Sequence, residues 1–169
     1  GCYYFKSADN LLIAIDAQIK RGVMLKNEYF LTDAISIMIE SGTKVRTQRI
    51  GTWLDTGTIE ATLDTNKILL GKQGTEVQRF KGSTVKIVEP VAIHESAEIS
   101  NSTIGPYASI GANCKIDNSQ IAESILEAEC EINDAALSRS LIGKQAKVKG
   151  RGDGHVMQLN ISDTSSVIL

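Results

Sequence analysis

The second half of the sequence predicts a parallel β-helix, and the first half predicts an α/β fold. Aliphatic residues recur every five or six positions from position 87 to position 148, and a small residue precedes almost all of them by two positions. Because residues i and i+2 of a strand face the same way, each such pair points to a common interior. Repeats this short bury their apolar face only when they stack into coils. In the first half, amphipathic helical segments alternate with short apolar runs, which is typical of α/β structure.

The repeat defines the coils of the predicted β-helix. Its aliphatic positions are Ile87, Ile93, Ile99, Ile104, Ile110, Ile116, Ile121, Leu126, Ile132, Leu137, Ile142 and Val148. Steps of five residues carry Ser or Ala at the small position, and we interpret them as tightened corners. At about eighteen residues per three-sided coil, residues 85–150 form roughly three and a half coils. The polar hairpin signals of an antiparallel sandwich are absent from this stretch.

The first 73 residues are predicted to form two strands and three helices. The strands cover 1–5 and 45–50, and the helices begin near Ser7, Thr32 and Thr58 and end near Gly22, Gly42 and Gly71. A two-stranded sheet is marginal, and three helices would have too little sheet to cover. We therefore expect this region to be the trailing part of a larger α/β domain. The alternative is that it packs on the end of the β-helix.

Composition disfavours several classes of function. The net charge of -2 and the pI near 5.7 provide no basic surface for nucleic acid, and aromatic residues, 5% of the chain, provide few stacking platforms. An apolar stretch long enough to span a membrane and a charged leader are both absent. We expect a cytoplasmic protein that binds neither nucleic acid nor membranes. Cys114 and Cys130 occupy small interior positions of the repeat, which explains them by packing rather than by zinc binding.

Asp55 is the strongest candidate for a functional carboxylate. It lies in a loop with a nearby glycine, between a predicted strand and a predicted helix, where α/β sheets expose functional groups. The alternative is that Asp55 or Thr56 only forms an Asx-type turn before the helix. The Asp-Thr-Gly triplet also occurs in aspartic proteases, but those need two such carboxylates, and a following helix is the wrong setting.

His94 provides a second, different hypothesis. It directly follows Ile93 and is therefore predicted to point outward from the coil. A β-helix acyltransferase would use such a histidine as a general base, in a groove between subunits, with an acyl-thioester donor. The alternative for His94 is a solvated surface residue. A third hypothesis for the chain is a non-catalytic oligomerisation or regulatory module that associates with copies of itself or with a partner subunit.

Two segments resemble the sugar nucleotidyltransferase family. They are 28–35, Glu-Tyr-Phe-Leu-Thr-Asp-Ala-Ile, and 51–58, Gly-Thr-Trp-Leu-Asp-Thr-Gly-Thr. The second is most similar to glucose-1-phosphate thymidylyltransferases, whose long members carry a left-handed β-helix after a Rossmann-like catalytic domain. The resemblance implies that 1–73 is the C-terminal part of that catalytic domain and 74–84 a linker. Residues 85–150 would be the left-handed β-helix, and 151–169 a capping tail strand.

The same resemblance implies a site and a reaction. Asp55 would be the second aspartate of a Mg²⁺ site, Trp53 would lie beside the sugar-phosphate pocket, and Glu28, Thr32 and Asp33 would shape the floor of the site. The implied reaction transfers the nucleotidyl group of dTTP or UTP to a sugar 1-phosphate, for which we expect glucose 1-phosphate, and releases pyrophosphate, in a homo-oligomeric enzyme. The family's Gly-rich Arg-Lys signature, first magnesium aspartate and Glu-Lys-Pro contact are not among the 169 residues. We therefore expect this chain to be inactive by itself.

Overall fold

The computed structural model describes residues 2–72 and 84–169, in which three helices precede fifteen short strands. The helices are α1 (Ala8–Arg21), α2 (Leu31–Glu40) and α3 (Ile59–Leu70). The strands are β1 (Lys86–Ile87), β2 (Val91–Ile93), β3 (Glu98–Ser100), β4 (Thr103–Ile104), β5 (Ala108–Ile110), β6 (Lys115–Asp117), β7 (Gln120–Ala122), β8 (Ile125–Leu126), β9 (Glu131–Asn133), β10 (Ala136–Ser138), β11 (Leu141–Ile142), β12 (Lys147–Lys149), β13 (Val156–Met157), β14 (Asn160–Ile161) and β15 (Ser166–Ile168). The chain divides into two compact units, Gly1–Gly51 and Thr52–Leu169.

The strands build a parallel β-helix, as predicted. Every third strand pairs with the next in one of three five-stranded parallel sheets, so each coil contributes one strand to each wall. The first wall contains β1, β4, β7, β10 and β13, the second contains β2, β5, β8, β11 and β14, and the third contains β3, β6, β9, β12 and β15. Five coils result. The tail 151–169 holds three strands, one in each wall, where the sequence predicts one. Of the predicted linker 74–84, all but Thr84 lies outside the described residues.

The interior of the β-helix consists of the predicted aliphatic series, in which each side chain stacks on the aliphatic side chain in register in the next coil. In the first wall, Ile104 pairs with Ile121, Ile121 with Leu137, and Leu137 with Met157. All aliphatic positions of the series from Ile104 to Val148 are at most 4% exposed. Each such side chain contributes about 1.5–3 kcal/mol when fully buried. The coils are therefore stabilised by the aliphatic side chains of each coil, which are buried against those of the next.

Buried serine hydroxyls close the tightened corners. They belong to Ser102, Ser119, Ser124 and Ser140. Each hydroxyl donates to the carbonyl oxygen two residues earlier and accepts a hydrogen bond from a backbone N–H of the following coil, at distances of 2.6–3.1 Å. One side chain thus bonds two backbone groups and supplies the acceptor for a backbone N–H in the next coil.

The remaining tightened corner carries Ala135 in place of a serine. Its own N–H is satisfied by Ser119, but it offers no hydroxyl to the next coil, where His155 is in register with it. There the carboxylate of Asp153 accepts the His155 N–H at 2.9 Å. An aspartate within the same turn therefore takes the role that a serine plays in the other corners.

The first unit contains two packed helices and none of the predicted strands among its described residues. α1 and α2 meet through Ala14, Ala34, Ile37 and Met38. The strands predicted over 1–5 and 45–50 are not formed in residues 2–5 or 45–50. A strand requires a neighbour for its N–H and C=O groups, and neither segment has one within the described residues. A Rossmann-like arrangement of 1–73 is therefore not observed.

Most helix ends follow the predicted signals. Gly22, after α1, and Gly42, after α2, adopt left-handed φ values of 65° and 88°, where glycine is favoured. Thr58 caps α3 by accepting a hydrogen bond from the Ala61 N–H at 3.2 Å. None of the helices in the described part of the chain is long and apolar enough to cross a membrane.

The start of α2 differs from the prediction. The helix begins at Leu31, with Phe30 at the cap position and no side-chain cap, so Thr32 and Asp33 lie inside its first turn. An acidic residue there still interacts favourably with the helix dipole. The sequence also predicts that Ile35, Met38 and Ile39 face inward. Met38 is buried, but Ile37 is only 6% exposed whereas Ile39 is 52% exposed.

Candidate functional site

Asp55 lies on an exposed loop that leads into α3. Its Oδ1 accepts a hydrogen bond from the Gly57 N–H at 3.0 Å. This is the Asx turn that the sequence offers as an alternative to a functional role. The turn does not exclude such a role, because an ionised carboxylate has about four acceptor positions and this bond uses one.

Two threonines of α3 hold the backbone of the Asp55 loop. The Thr65 hydroxyl donates to the Asp55 carbonyl oxygen at 2.7 Å. The Thr62 hydroxyl lies 3.2 Å from the carbonyl oxygen of Thr56 and 2.9 Å from that of Thr58. The loop that carries the candidate carboxylate is therefore fastened to the helix that follows it.

The other predicted site residues fall into two groups. Trp53 is 60% exposed and belongs to the same unit as Asp55. Glu28, Thr32 and Asp33 belong to the first unit, where Glu28 forms an isolated antiparallel bridge with Leu25. The latter three lie close together in sequence, immediately before α2 and in its first turn.

The described residues contain no ready-made metal centre. No group of three or more His, Cys, Asp or Glu side chains in 2–72 and 84–169 is arranged to hold a metal ion. Magnesium, however, needs only one or two protein carboxylates and completes its octahedron with phosphate oxygens and water. Asp55, exposed and carrying unused acceptor positions, fits the role of one such ligand and no more than one.

One corner of the β-helix forms a column of left-handed residues, which we call the corner column. It consists of Tyr107, Glu123 and Arg139, with φ values of 60°, 46° and 49°. Each N–H in the corner column donates to a carbonyl oxygen of the preceding coil, at 2.7, 2.8 and 3.3 Å. The side chains of three successive coils are thereby stacked along one edge.

Charged residues of α3 contact the corner column. Arg139 lies 3.8 Å from Asp64, and Lys67 lies 3.5 Å from Glu123. The Lys67 ammonium also sits 4.6 Å from the centre of the Tyr107 ring. Three residues of helix rise about 4.5 Å, which nearly equals the strand spacing of about 4.8 Å in a sheet. Residues three positions apart on α3 therefore reach neighbouring coils. Because Asp64 pairs with Arg139 and Lys67 with Glu123, later residues of the helix contact earlier coils.

An amide completes the interface between α3 and the β-helix. The Asn66 side chain accepts a hydrogen bond from the Ser109 hydroxyl at 2.6 Å and donates to the Tyr107 carbonyl oxygen at 3.4 Å. Leu63 and Leu70 share its helix face at the i, i+3, i+7 spacing and are 5% and 4% exposed. This interface is not among the sequence predictions. Its signal in the sequence is the spacing of Leu63, Asn66 and Leu70 on one face of α3.

The geometry of His94 disfavours the acyltransferase hypothesis. Its Nδ1 accepts a hydrogen bond from the Ser96 backbone N–H at 3.2 Å and lies 2.8 Å from the Ser96 hydroxyl. That hydroxyl also accepts the Asn113 N–H at 2.9 Å. In the neutral ring the proton consequently resides on Nε2. A general base acting through Nε2 needs the opposite tautomer.

Comparisons with known proteins identify relatives along most of the chain. No protein-family model matches it. The chain is 31% identical over 167 residues to the glucose-1-phosphate thymidylyltransferase of Streptomyces antibioticus, covering 88% of this chain and 46% of that protein. The corresponding enzyme of Streptomyces griseus is 27% identical, with coverages of 89% and 41%. The low-salt glycan biosynthesis nucleotidyltransferase Agl11 of Haloferax volcanii is 29% identical, with coverages of 90% and 47%.

This chain matches only part of the length of these relatives. The chain spans about half the length of the curated relatives it matches. Among solved structures, the acetyltransferase domain of PglB from Neisseria gonorrhoeae FA1090, in complex with acetyl coenzyme A, is 20% identical and covers 74% of this chain and 80% of that domain. The TM-score between the two structures is 0.23. The resemblance to the sugar nucleotidyltransferases is confirmed: along about nine-tenths of its length, this chain is a relative of these enzymes.

Proposed function

We propose that the chain is part of an enzyme that transfers a nucleotidyl group from a nucleoside triphosphate to a sugar 1-phosphate. The products are a nucleoside diphosphate sugar and pyrophosphate. Glucose 1-phosphate with dTTP or UTP is the substrate pair that we propose. The observation that carries this proposal is the Trp53 to Thr58 motif, displayed on an exposed loop before α3 in a chain related to sugar nucleotidyltransferases.

The chemistry of this reaction accounts for the residues at the loop. A phosphate oxygen of the sugar attacks the α-phosphorus, and the bond from that phosphorus to the oxygen bridging the β-phosphate breaks as pyrophosphate leaves. Both reactants are anions, so the reaction depends on positioning and on cations rather than on a covalent nucleophile. We propose that Mg²⁺, which offsets the phosphate charge when bound, takes one carboxylate oxygen from Asp55. Trp53 would present its exposed ring to the sugar phosphate, and Glu28, Thr32 and Asp33 would line the floor of the site.

The surface of the first unit supports a larger catalytic domain in the whole enzyme. Large apolar side chains are exposed there, namely Tyr3, Tyr4, Leu12, Ile13, Ile19, Val23, Met24, Leu25, Tyr29, Phe30, Leu31, Ile39, Val45 and Ile50. Apolar surface of this extent is typical of regions that other protein covers. We propose that further α/β elements cover it in a Rossmann-like domain, and that the 169-residue chain alone does not turn over.

The test is a pyrophosphate-release assay on the complete product of the encoding gene and, separately, on the 169-residue chain. Each receives Mg²⁺, glucose 1-phosphate and either dTTP or UTP. We expect turnover by the complete product and none at an enzyme-like rate by the 169-residue chain. Asp55→Asn in the complete product should lower kcat at least about tenfold, since removing even an outer-sphere partner of a metal costs that much. Glu98→Gln, which neutralises an exposed carboxylate on β3 of the β-helix, is the control.

A homo-oligomer is also proposed, since the predicted partners include a second copy of the chain. Sedimentation velocity of the complete product over a range of concentrations tests this. We expect a stable assembly larger than one chain. A monomer at all concentrations would contradict it and would also remove the oligomerisation-module hypothesis.

A further inference from the structure

We propose that Thr65 is a positioning residue for the Asp55 loop, and that the corner column of the β-helix, together with Ser109 beside it, anchors the helix that carries Thr65. The β-helix would then support the candidate active-site loop through α3. The expected effect on activity rests on the proposed function. The expected effect on the loop itself does not.

The first step is the unusual partner of the Thr65 hydroxyl. A threonine inside a helix commonly donates to the carbonyl oxygen four residues earlier, as Thr62 does to Thr58 at 2.9 Å. Thr65 instead donates to the Asp55 carbonyl oxygen, ten residues earlier, at 2.7 Å. This bond closes a loop rather than a helical turn. Its loss leaves the helix bonds in place but frees the backbone of Asp55.

The residues on either side of Thr65 contact the β-helix. Asp64 pairs with Arg139, while Asn66 and Lys67 contact the coils that carry Tyr107 and Glu123. Three of the four residues 64–67 are therefore held by the β-helix, and the fourth holds the loop. Since residues 64–67 lie within about one turn of α3, these contacts tie the position of Asp55 to the coils as well as to the helix.

The third step concerns the Asp55 carboxylate. Its backbone is held by Thr65, and its Oδ1 is held by the Gly57 N–H at 3.0 Å. A Cβ added to Gly57 would lie only 3.3 Å from that same oxygen, so the turn is closely fitted. A side chain fixed at both ends is preorganised for a ligand, and a misplacement of about 1 Å at a reacting centre can lower the rate about a hundredfold.

The experiment compares Thr65→Val, which keeps the shape and removes the donor, with Thr65→Ser, which keeps the hydroxyl. Trp53 is the single tryptophan of the chain and reports on the loop by its emission. We expect Thr65→Val to shift that emission and to speed amide hydrogen exchange in residues 52–57 about tenfold. Thr65→Ser should restore both. Thr103→Val, the same change on β4, is the matched control and should alter neither.

The anchoring half of the proposal is tested from the β-helix side. Ser109→Ala removes the hydroxyl that donates to Asn66 and lies outside both α3 and the loop. We expect faster exchange in residues 52–57 here as well, with Ser138→Ala on β10 as control. This variant also keeps the proposal testable if Thr65→Val does not fold. Unchanged exchange in folded Ser109→Ala would overturn the anchoring role.

Activity provides the last readout. In the complete gene product, Thr65→Val should lower kcat, with Thr65→Ser close to the unaltered enzyme. If the unaltered product has no nucleotidyltransferase activity, the proposed function fails while the emission and exchange changes still support the positioning role. If Thr65→Val folds with unchanged loop exchange and unchanged emission, the positioning role is overturned whatever the enzyme does.

Discussion

The Ser124 hydroxyl lies 3.0 Å from the backbone nitrogen of Ser140, which is the equivalent corner residue one coil further along. The same hydroxyl donates to the Ala122 carbonyl oxygen at 2.6 Å. Both serines are fully buried. Ser124 therefore links its own corner to the next one through a single oxygen atom.

Ser124→Ala should destabilise the β-helix by about 1–3 kcal/mol, because it leaves the N–H of the buried Ser140 without its partner. Denaturant unfolding of the 169-residue chain, followed by circular dichroism, measures the change. Ser36→Ala is the control, since this hydroxyl lies on the exposed side of α2 and its loss should change stability by no more than about 0.5 kcal/mol. Equal stability of the two variants would show that the corner hydroxyls are dispensable.

Gly111→Ala should destabilise the chain by about 1–3 kcal/mol through overpacking. An added Cβ would lie 2.7 Å from the carbonyl carbon of Glu127 and 2.8 Å from the nitrogen of Ala128, both backbone atoms of the next coil. Thermal unfolding measures the effect. At Gly51, by contrast, a Cβ would meet nothing in the described part of the chain within 4 Å, so Gly51→Ala provides the control.

Asp117 should make the stability of the β-helix depend on acid pH. Hydrogen bonds from the Ser100 hydroxyl at 2.6 Å and the Asn101 amide at 2.9 Å hold the pKa of Asp117 below its ordinary value. A carboxylate with a depressed folded-state pKa stabilises the fold above its unfolded pKa, and the contribution is lost as pH falls through the folded pKa.

The corresponding experiment measures urea midpoints of the unaltered chain and of Asp117→Asn at neutral pH and at a pH below the usual carboxyl range. We expect Asp117→Asn to be the less stable at neutral pH and the difference to shrink in acid. Asp16→Asn, on the exposed side of α1, controls for the change in net charge. A difference that grows in acid would contradict the assignment.

The three cysteines should divide sharply by reactivity. Cys2 is exposed, whereas Cys114 and Cys130 are 0% exposed in the interior of the β-helix. Since thiol reagents need access to the sulfur, the folded chain should react rapidly at Cys2 and slowly at the other two. Unfolding should release all three. Rapid labelling of Cys130 in the folded chain would show that the interior opens far more readily than its burial indicates.

The β-helix was predictable because its signal is local and repeated. Each rung needs one small and one branched residue two positions apart, and the five-residue steps carry Ser or Ala, so even the tightened corners follow from spacing. What spacing cannot show is why serine suits them, since its hydroxyl bonds to a residue in the next coil, 16 or more positions away.

The first unit was less predictable because its structure depends on neighbours. The apolar runs at 2–5 and 45–50 have strand-like composition but no pairing partner in the described residues. The inward face of α2 is set by α1, which selects Ile37 over Ile39. The Asx turn at Asp55, which the sequence offers as the alternative to a functional role, is confirmed, whereas the role of Asp55 as a metal ligand stays a prediction. The bond from Thr65 to Asp55 joins positions ten apart and has no periodic signature.

The rise of three residues of α3 nearly equals the spacing between coils in the corner column, and this limits where such chains can vary in length. Among the described residues, the ion pairs and the cation–π contact of the helix reach the coils that carry Tyr107, Glu123 and Arg139. Coils beyond these can be gained or lost as whole units without moving the Asp55 loop. A single residue inserted between Tyr107 and Arg139 would instead put helix and coils out of phase, so mutational tolerance should rise with distance along the solenoid from α3.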